Sequence, residues 1–210
     1  MSILTDLFYL PSLEYFAAVL EEKEILVDAK GFYQKQTYRN RTQIRLANKV
    51  ETLSIPVLGG NKKQLYKEVK IDYGQKWKNV HIRGIQSAYG KAPFFEYFFP
   101  YIEKVYDKNY SYLFDLNWDM LTICLKLLRI DTTLKVFEGQ DLGVEGRDIR
   151  GIIHSKQDFT ERGIYQPYPY QQLFGVNFVP NLSVLDLLFC EGPDSKGILS
   201  ASQKKTLNNR

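Results

Sequence analysis

The sequence predicts one α/β domain, with a Rossmann-like three-layer sheet, added antiparallel strands and a helical C-terminal half. Three observations lead to this prediction. Residues 3–29 follow a strand–turn–helix–strand pattern, which is typical of a parallel sheet. Three strand-like runs then follow one another through short links. From Gln75 onward, apolar residues recur at helical spacing.

The first half of the chain supplies the predicted strands. An apolar run ends at Pro11, and Ser12 is placed to cap a helix that carries Leu13, Phe16 and Leu20 inward. A short buried strand is expected at residues 25–29, which completes a βαβ unit. Further strands are predicted at residues 42–46, 50–57 and 66–71, with a Gly-Gly-Asn turn at 59–61. We interpret these three runs as an antiparallel meander added to the sheet.

The second half is predicted to be mainly helical. Helices are expected at residues 75–89, 93–106, 111–127 and from 183 to the stop signal at 192, with a strand at 132–137. Residues 138–175 are irregular in pattern, and such long segments often carry function. We expect a single domain over residues 1–199 and a polar C-terminal tail over residues 200–210.

The composition of the chain and the absence of common motifs reduce the number of candidate functions. The net charge of +4 makes nucleic acid an unfavoured partner. No apolar run reaches the roughly 18 residues of a membrane span, and no basic signal sequence precedes the first apolar run, so we expect a cytoplasmic protein without membrane insertion. Phosphate-loop, dinucleotide and hydrolase-elbow motifs are absent. Two Cys and two His, widely spaced, give no reason to expect a metal site. The cofactor and the oligomeric state stay unknown.

A basic segment is the first candidate site. Residues 29–50 contain six cations and no acid, a pattern that attracts anions. If the chain is extended there, Arg39 and Arg41 point to one side and Asn40 to the other. Because paired guanidinium groups bind phosphate well, we expect these three residues to bind a phosphate-bearing small molecule. A solvated surface strand is the alternative.

His81 is the candidate catalytic residue, since imidazole is the commonest general base. It lies one helical turn after Trp77, on an apolar face, so a buried structural histidine is the alternative. Asn117 lies among leucines and needs a hydrogen-bond partner, in the core or in a pocket. Tyr170 and Gln171 follow a Pro-Tyr-Pro run and are expected to contact a ligand. Trp77 and Asn117 are expected to contact the ligand too. Weaker candidates are His154 and Asp186.

Four segments together resemble the WbqC-like protein family. They are Tyr-Arg-Asn-Arg-Thr at 38–42, Trp77-x-x-x-His81 with Ala-Tyr-x-Lys-Ala-Pro-Phe-Phe at 88–95, Leu113-x-x-Leu116-Asn117, and Tyr170-Gln171-x-x-Phe174 with Phe-x-Pro-Asn-Leu-Ser-Val-Leu-Asp-Leu-Leu-Phe at 178–189. Their order and spacing match the family from about Leu7 to Gly192.

The resemblance implies a bacterial protein associated with the synthesis of cell-surface polysaccharide. With the arginine cluster and His81, it favours an enzyme, expected to be a transferase, that modifies a nucleotide-activated (amino) sugar by acyl or aminoacyl transfer. This hypothesis needs the arginines and His81 to face one cleft. Two alternatives stay open. In the first, the protein is a nucleic-acid-binding module, in which Tyr33, Tyr38 and the basic segment contact bases and phosphates. In the second, it is a non-catalytic partner in a polysaccharide-assembly complex.

Overall fold

A parallel sheet of four strands organises the computed structural model, which describes residues 1–139 and 146–204. The strand order is β5-β2-β1-β6, and every neighbouring pair is parallel. Their bounds are Ser2–Thr5 for β1, Glu24–Asp28 for β2, Thr133–Phe137 for β5 and Arg147–Asp148 for β6. The central strand β1 is buried along almost its whole length, as expected for a parallel sheet covered on both faces.

The βαβ start that the sequence predicts is confirmed. Helix α1, Leu13–Val19, connects β1 to β2, and these two strands pair with Ile3 opposite Ile25. Every residue of α1 is buried, including Glu14. A mixed α/β domain with a parallel sheet is therefore the observed fold class.

The predicted meander is only partly found. Strands β3, Arg41–Arg45, and β4, Val50–Ser54, pair antiparallel in a hairpin that is separate from the parallel sheet. The third predicted strand is wrong, because residues 66–68 form a single 3-10 turn. The strand does not form because this segment bonds to distant parts of the chain. The buried Tyr66 donates its hydroxyl to the Leu7 carbonyl, and the Val69 carbonyl accepts from the Leu113 amide.

The helical C-terminal half is confirmed. It consists of α2 (Trp77–Tyr89), α3 (Phe95–Asp107), α4 (Leu113–Leu127), α5 (Val184–Glu191) and α6 (Ser195–Ala201). Ser183 caps α5, with its hydroxyl accepting from the Leu185 amide. No helix in the described ranges is long and apolar enough to cross a membrane.

The segment predicted to be irregular is anchored to α1 by a buried ion pair. Arg162 Nε and Nη2 donate to the two carboxylate oxygens of Glu14 over 2.7 and 2.6 Å, and both side chains are almost completely buried. The segment also contributes β6, which the sequence pattern did not predict because two residues show no periodicity. Residues 149–151, just after β6, are thereby brought to the edge of the sheet where the other strands end.

Candidate functional site

A cleft of about 630 Å³ lies where β1, β2 and β6 end. We call it the strand-end cleft; its charged lining residues are Asp6, Asp28, Arg39, Asp148 and Arg150. β1 has β2 on one side and β6 on the other, so the order of the strands reverses at this point. In open α/β sheets, ligands bind beyond the carboxyl ends of the strands at such a reversal.

Asp6 is the most enclosed carboxylate of the strand-end cleft. Its Oδ1 accepts from Arg39 Nη2 over 2.6 Å, and its Oδ2 accepts from the Gly151 amide over 2.7 Å. Arg39 in turn stacks over the Tyr66 ring, with 5.6 Å between the guanidinium carbon and the ring centre. The Asn117 side-chain amide donates to both the Arg39 carbonyl and the Tyr66 hydroxyl. Asn117 is thus a buried residue whose side chain holds the Arg39 backbone and the Tyr66 hydroxyl in place.

Arg150 joins the ends of two strands at the rim. It donates to both oxygens of Asp148, through Nε at 3.0 Å and Nη2 at 2.7 Å, and to Asp28 Oδ2 at 3.1 Å. The hydrogen bonds from Arg150 lower the pKa of Asp148, which is therefore ionised at neutral pH. Arg150 and Asp148 are each about two-fifths exposed, so ligands can reach them from solvent.

The strand-end cleft combines both signs of charge. Three carboxylates and two guanidinium groups line it, so its formal net charge is −1. Phe32, 48% exposed, and Gln34 add an aromatic face and an amide at the edge. Among the residues that the structure describes, no group of three His, Cys, Asp or Glu side chains is placed to hold a metal ion.

Arg39 and Arg41 do not lie on one side of an extended strand. Residues 38–40 form a turn in which the Asn40 amide donates to the Thr37 carbonyl, and the Asn40 side chain donates to the Ile55 carbonyl. Arg41 begins β3 and lines a different cavity of about 320 Å³. The turn therefore directs the two guanidinium groups into separate cavities.

His81 and Trp77 are both buried on α2. The ring nitrogens of His81 bond the Tyr9 hydroxyl, 2.8 Å from Nδ1, and the Ser54 carbonyl, 3.2 Å from Nε2. Burial lowers the pKa of His81 to about 4, so the imidazole is neutral at physiological pH. Neither of the two cavities described above is lined by His81. Its catalytic role stays a prediction, and its surroundings are those of a core histidine.

His81 and Arg41 are separated by the hairpin. Ile44 and Leu53 pack against α2 at Gly84, one helical turn after His81. Because side chains alternate along a strand, Arg41 points to the face of β3 opposite to Ile44. The structure therefore does not bring the arginine cluster and His81 to one cleft.

Tyr170 belongs to a third cluster. Its hydroxyl donates to Asp186 Oδ2 over 2.5 Å, and Gln172 Nε2 donates to the same oxygen over 2.8 Å. Burial raises the pKa of Asp186. Gln171, one of the predicted ligand contacts, has an exposed side chain, and its backbone amide donates to Glu191. Neither Tyr170 nor Gln171 lines the strand-end cleft.

The sequence patterns missed four charged residues of the strand-end cleft. Asp6 and Asp28 lie at the ends of the two strands of the predicted βαβ unit, so the rule on strand ends could have found them. Asp148 and Arg150 gave no such signal, because β6 is only two residues long.

Comparison with protein-family models identifies one family. The model of the WbqC-like protein family matches residues 8–162 and 150–198. The chain is 27% identical to an uncharacterised protein of Mycobacterium tuberculosis, Rv1507c, over 89% of this chain and 93% of the relative. No solved structure matches significantly, so the Rossmann-like likeness stays a prediction. Because the family model covers most of its length, the chain belongs to the WbqC-like protein family.

Proposed function

We propose that the protein is an enzyme that binds a nucleotide-activated amino sugar, or a related phosphate-bearing small molecule, in the strand-end cleft. The observation that carries the proposal is the meeting of three strand-end aspartates with Arg39 and Arg150 at the reversal of strand order. A volume of about 630 Å³ lies within the usual range for small-molecule sites.

The charges of the cleft support this class of ligand. Ionised carboxylates such as Asp148 accept hydrogen bonds from sugar hydroxyls and from an ammonium group. The guanidinium groups of Arg39 and Arg150 donate to phosphate oxygens, and Arg39 Nε is buried with no partner among the described residues. An amino sugar joined to phosphate offers both kinds of group.

The reaction class rests on the family resemblance. Transfer of an acyl or aminoacyl group to the amino sugar, in the synthesis of a bacterial surface polysaccharide, is the transferase activity we propose. The Lys63 ammonium lies over one face of the Phe32 ring, 4.4 Å from its centre, and the half-exposed remainder of the ring offers contact to a base or a sugar ring. The proposal gives no chemical step to His81, because this residue lies outside the strand-end cleft.

Calorimetric titration with sugar nucleotides, free nucleotides, free amino sugars and an oligonucleotide tests the proposal. We expect saturable binding of an amino-sugar nucleotide, and at least tenfold weaker binding by Arg150→Gln, since a lost charge-assisted hydrogen bond costs about 1.5–3 kcal/mol. Arg83→Gln removes the same charge from the exposed side of α2 and should leave affinity unchanged. Absence of binding across the panel would favour a non-catalytic partner instead. Equal affinity of Arg150→Gln would place the ligand elsewhere.

A further inference from the structure

The second cavity lies on the polar face of the hairpin. Arg41 and Gln43 lie two residues apart on β3, and Gln43 pairs with Thr52 of β4, so all three side chains point to one face. The cavity measures about 320 Å³, and Gln36, Tyr38, Thr42 and Ser155 complete its lining. We call it the hairpin pocket.

The guanidinium group of Arg41 stands out from those of its neighbours. Arg39 donates to Asp6, and Arg45 donates to Gln172 and to the Asn177 carbonyl. Arg41 Nε is buried and has no hydrogen-bond partner among the described residues. A buried donor without an acceptor is costly, and an anion that enters the pocket would supply the acceptor that Arg41 Nε lacks.

The lining of the hairpin pocket differs in sign from that of the strand-end cleft. Arg41 is the one charged residue among the lining residues, so the formal charge of the pocket is +1, against −1 for the strand-end cleft. The other lining residues carry hydroxyl and amide groups, which donate to oxyanions without adding charge. The hairpin pocket therefore favours an anionic group more strongly than the strand-end cleft does.

We propose that the hairpin pocket is a second binding site, which takes the phosphate or carboxylate group of a small molecule through Arg41, Gln43 and Thr52. This site does not rest on the proposed function of the strand-end cleft, because the two cavities share no lining residue. For a two-substrate transferase, such a pocket would hold the anionic end of the second substrate.

Amide chemical-shift titration of the full chain with inorganic phosphate, and separately with acetate at equal ionic strength, tests this site. We expect saturable shifts at Arg41, Thr42, Thr52 and Ser155, and the tighter of the two anions identifies the chemical source. Arg41→Gln should weaken binding at least tenfold. Thr52→Val, which keeps the branched shape of the side chain, should weaken binding several-fold. Arg83→Gln should bind like the unaltered protein.

The proposal is overturned if neither anion gives saturable shifts in the hairpin pocket, or if Arg41→Gln binds within twofold of the unaltered protein. Arg150→Gln separates the two sites, because it should leave anion binding at Arg41 intact. Failure of this site therefore leaves the strand-end proposal standing, and the reverse also holds. The amide spectrum of each variant verifies that the fold is retained, and Thr52→Val carries the test if Arg41→Gln does not fold.

Discussion

Arg39 Nη2 donates to Asp6 Oδ1 over 2.6 Å, and this ion pair joins the end of the central strand β1 to the turn that precedes β3. Only 9% of the Asp6 side chain and 11% of the Arg39 side chain are exposed. Asp6 also accepts from the Gly151 amide, which follows β6. One carboxylate therefore holds three separate chain segments together at the floor of the strand-end cleft.

Asp6→Asn should destabilise the protein by about 3 kcal/mol, because it leaves the Arg39 guanidinium buried without an opposite charge. The measurement is the free energy of unfolding in urea. Glu51→Gln is the matched control, since it breaks the exposed pair of Glu51 with Lys49 and should change stability by about 0.5 kcal/mol or less. Equal effects of the two substitutions would contradict the structural role of Asp6.

The pH dependence of stability should report on His81. Its pKa falls from an ordinary value of 6.5 to about 4 in the folded protein, so only the unfolded chain binds a proton between these values. Stability should therefore fall as the pH drops from about 6.5 to 4, by about 3 kcal/mol for this residue. His81→Gln should remove that part of the slope, and His154→Gln should retain it. An unchanged slope in His81→Gln would show that the imidazole is not buried in neutral form.

Tyr170→Phe distinguishes a structural role from a ligand contact. The hydroxyl donates to the buried carboxylate of Asp186, so its loss should cost about 1–3 kcal/mol of unfolding free energy. Tyr168→Phe is the control, because Tyr168 is 53% exposed and should tolerate the change. If Tyr170→Phe kept full stability but lost ligand affinity, the result would support the prediction that Tyr170 contacts the ligand.

Oligonucleotides should bind weakly or not at all. At least three of the six cations of the basic segment are engaged by other residues: Arg39 by Asp6, Lys49 by Glu51 and Arg45 by Gln172. Nucleic-acid binding needs a continuous array of cations, and its affinity falls steeply with salt. Fluorescence anisotropy with labelled single strands at low salt is the measurement. Tight, salt-dependent binding would favour the nucleic-acid alternative over the enzyme.

Local pattern predicted most of the elements, because helices and buried strands carry their own periodicity. The βαβ start and helices α2 to α5 were all visible in the spacing of apolar residues. Strand β6 and the turn at Tyr66 were not, since their conformation depends on partners distant in sequence. β6 is held by pairing with β1, and Tyr66 by the carbonyl of Leu7.

The candidate site was harder to predict, because it depends on where segments meet. The turn at residues 38–40 sends Arg39 and Arg41 into different cavities, and no local pattern indicates that turn. The chemistry of Asp148 depends on Arg150, two residues away, and on the position of β6 beside β1. The sequence thus indicates which residue types are available for a site, whereas only the tertiary structure shows which of them lie together.

The position of a bound amino-sugar nucleotide tests the central claim most directly. Amide chemical-shift mapping with the tightest ligand of the calorimetric panel should give its largest changes at residues 6, 28, 31–34 and 148–151, around the strand-end cleft. Arg150→Gln should strongly reduce these changes at the same ligand concentration. Shifts confined to the surroundings of His81 and Tyr170, with residues 148–151 unaffected, would contradict the assignment of the cleft.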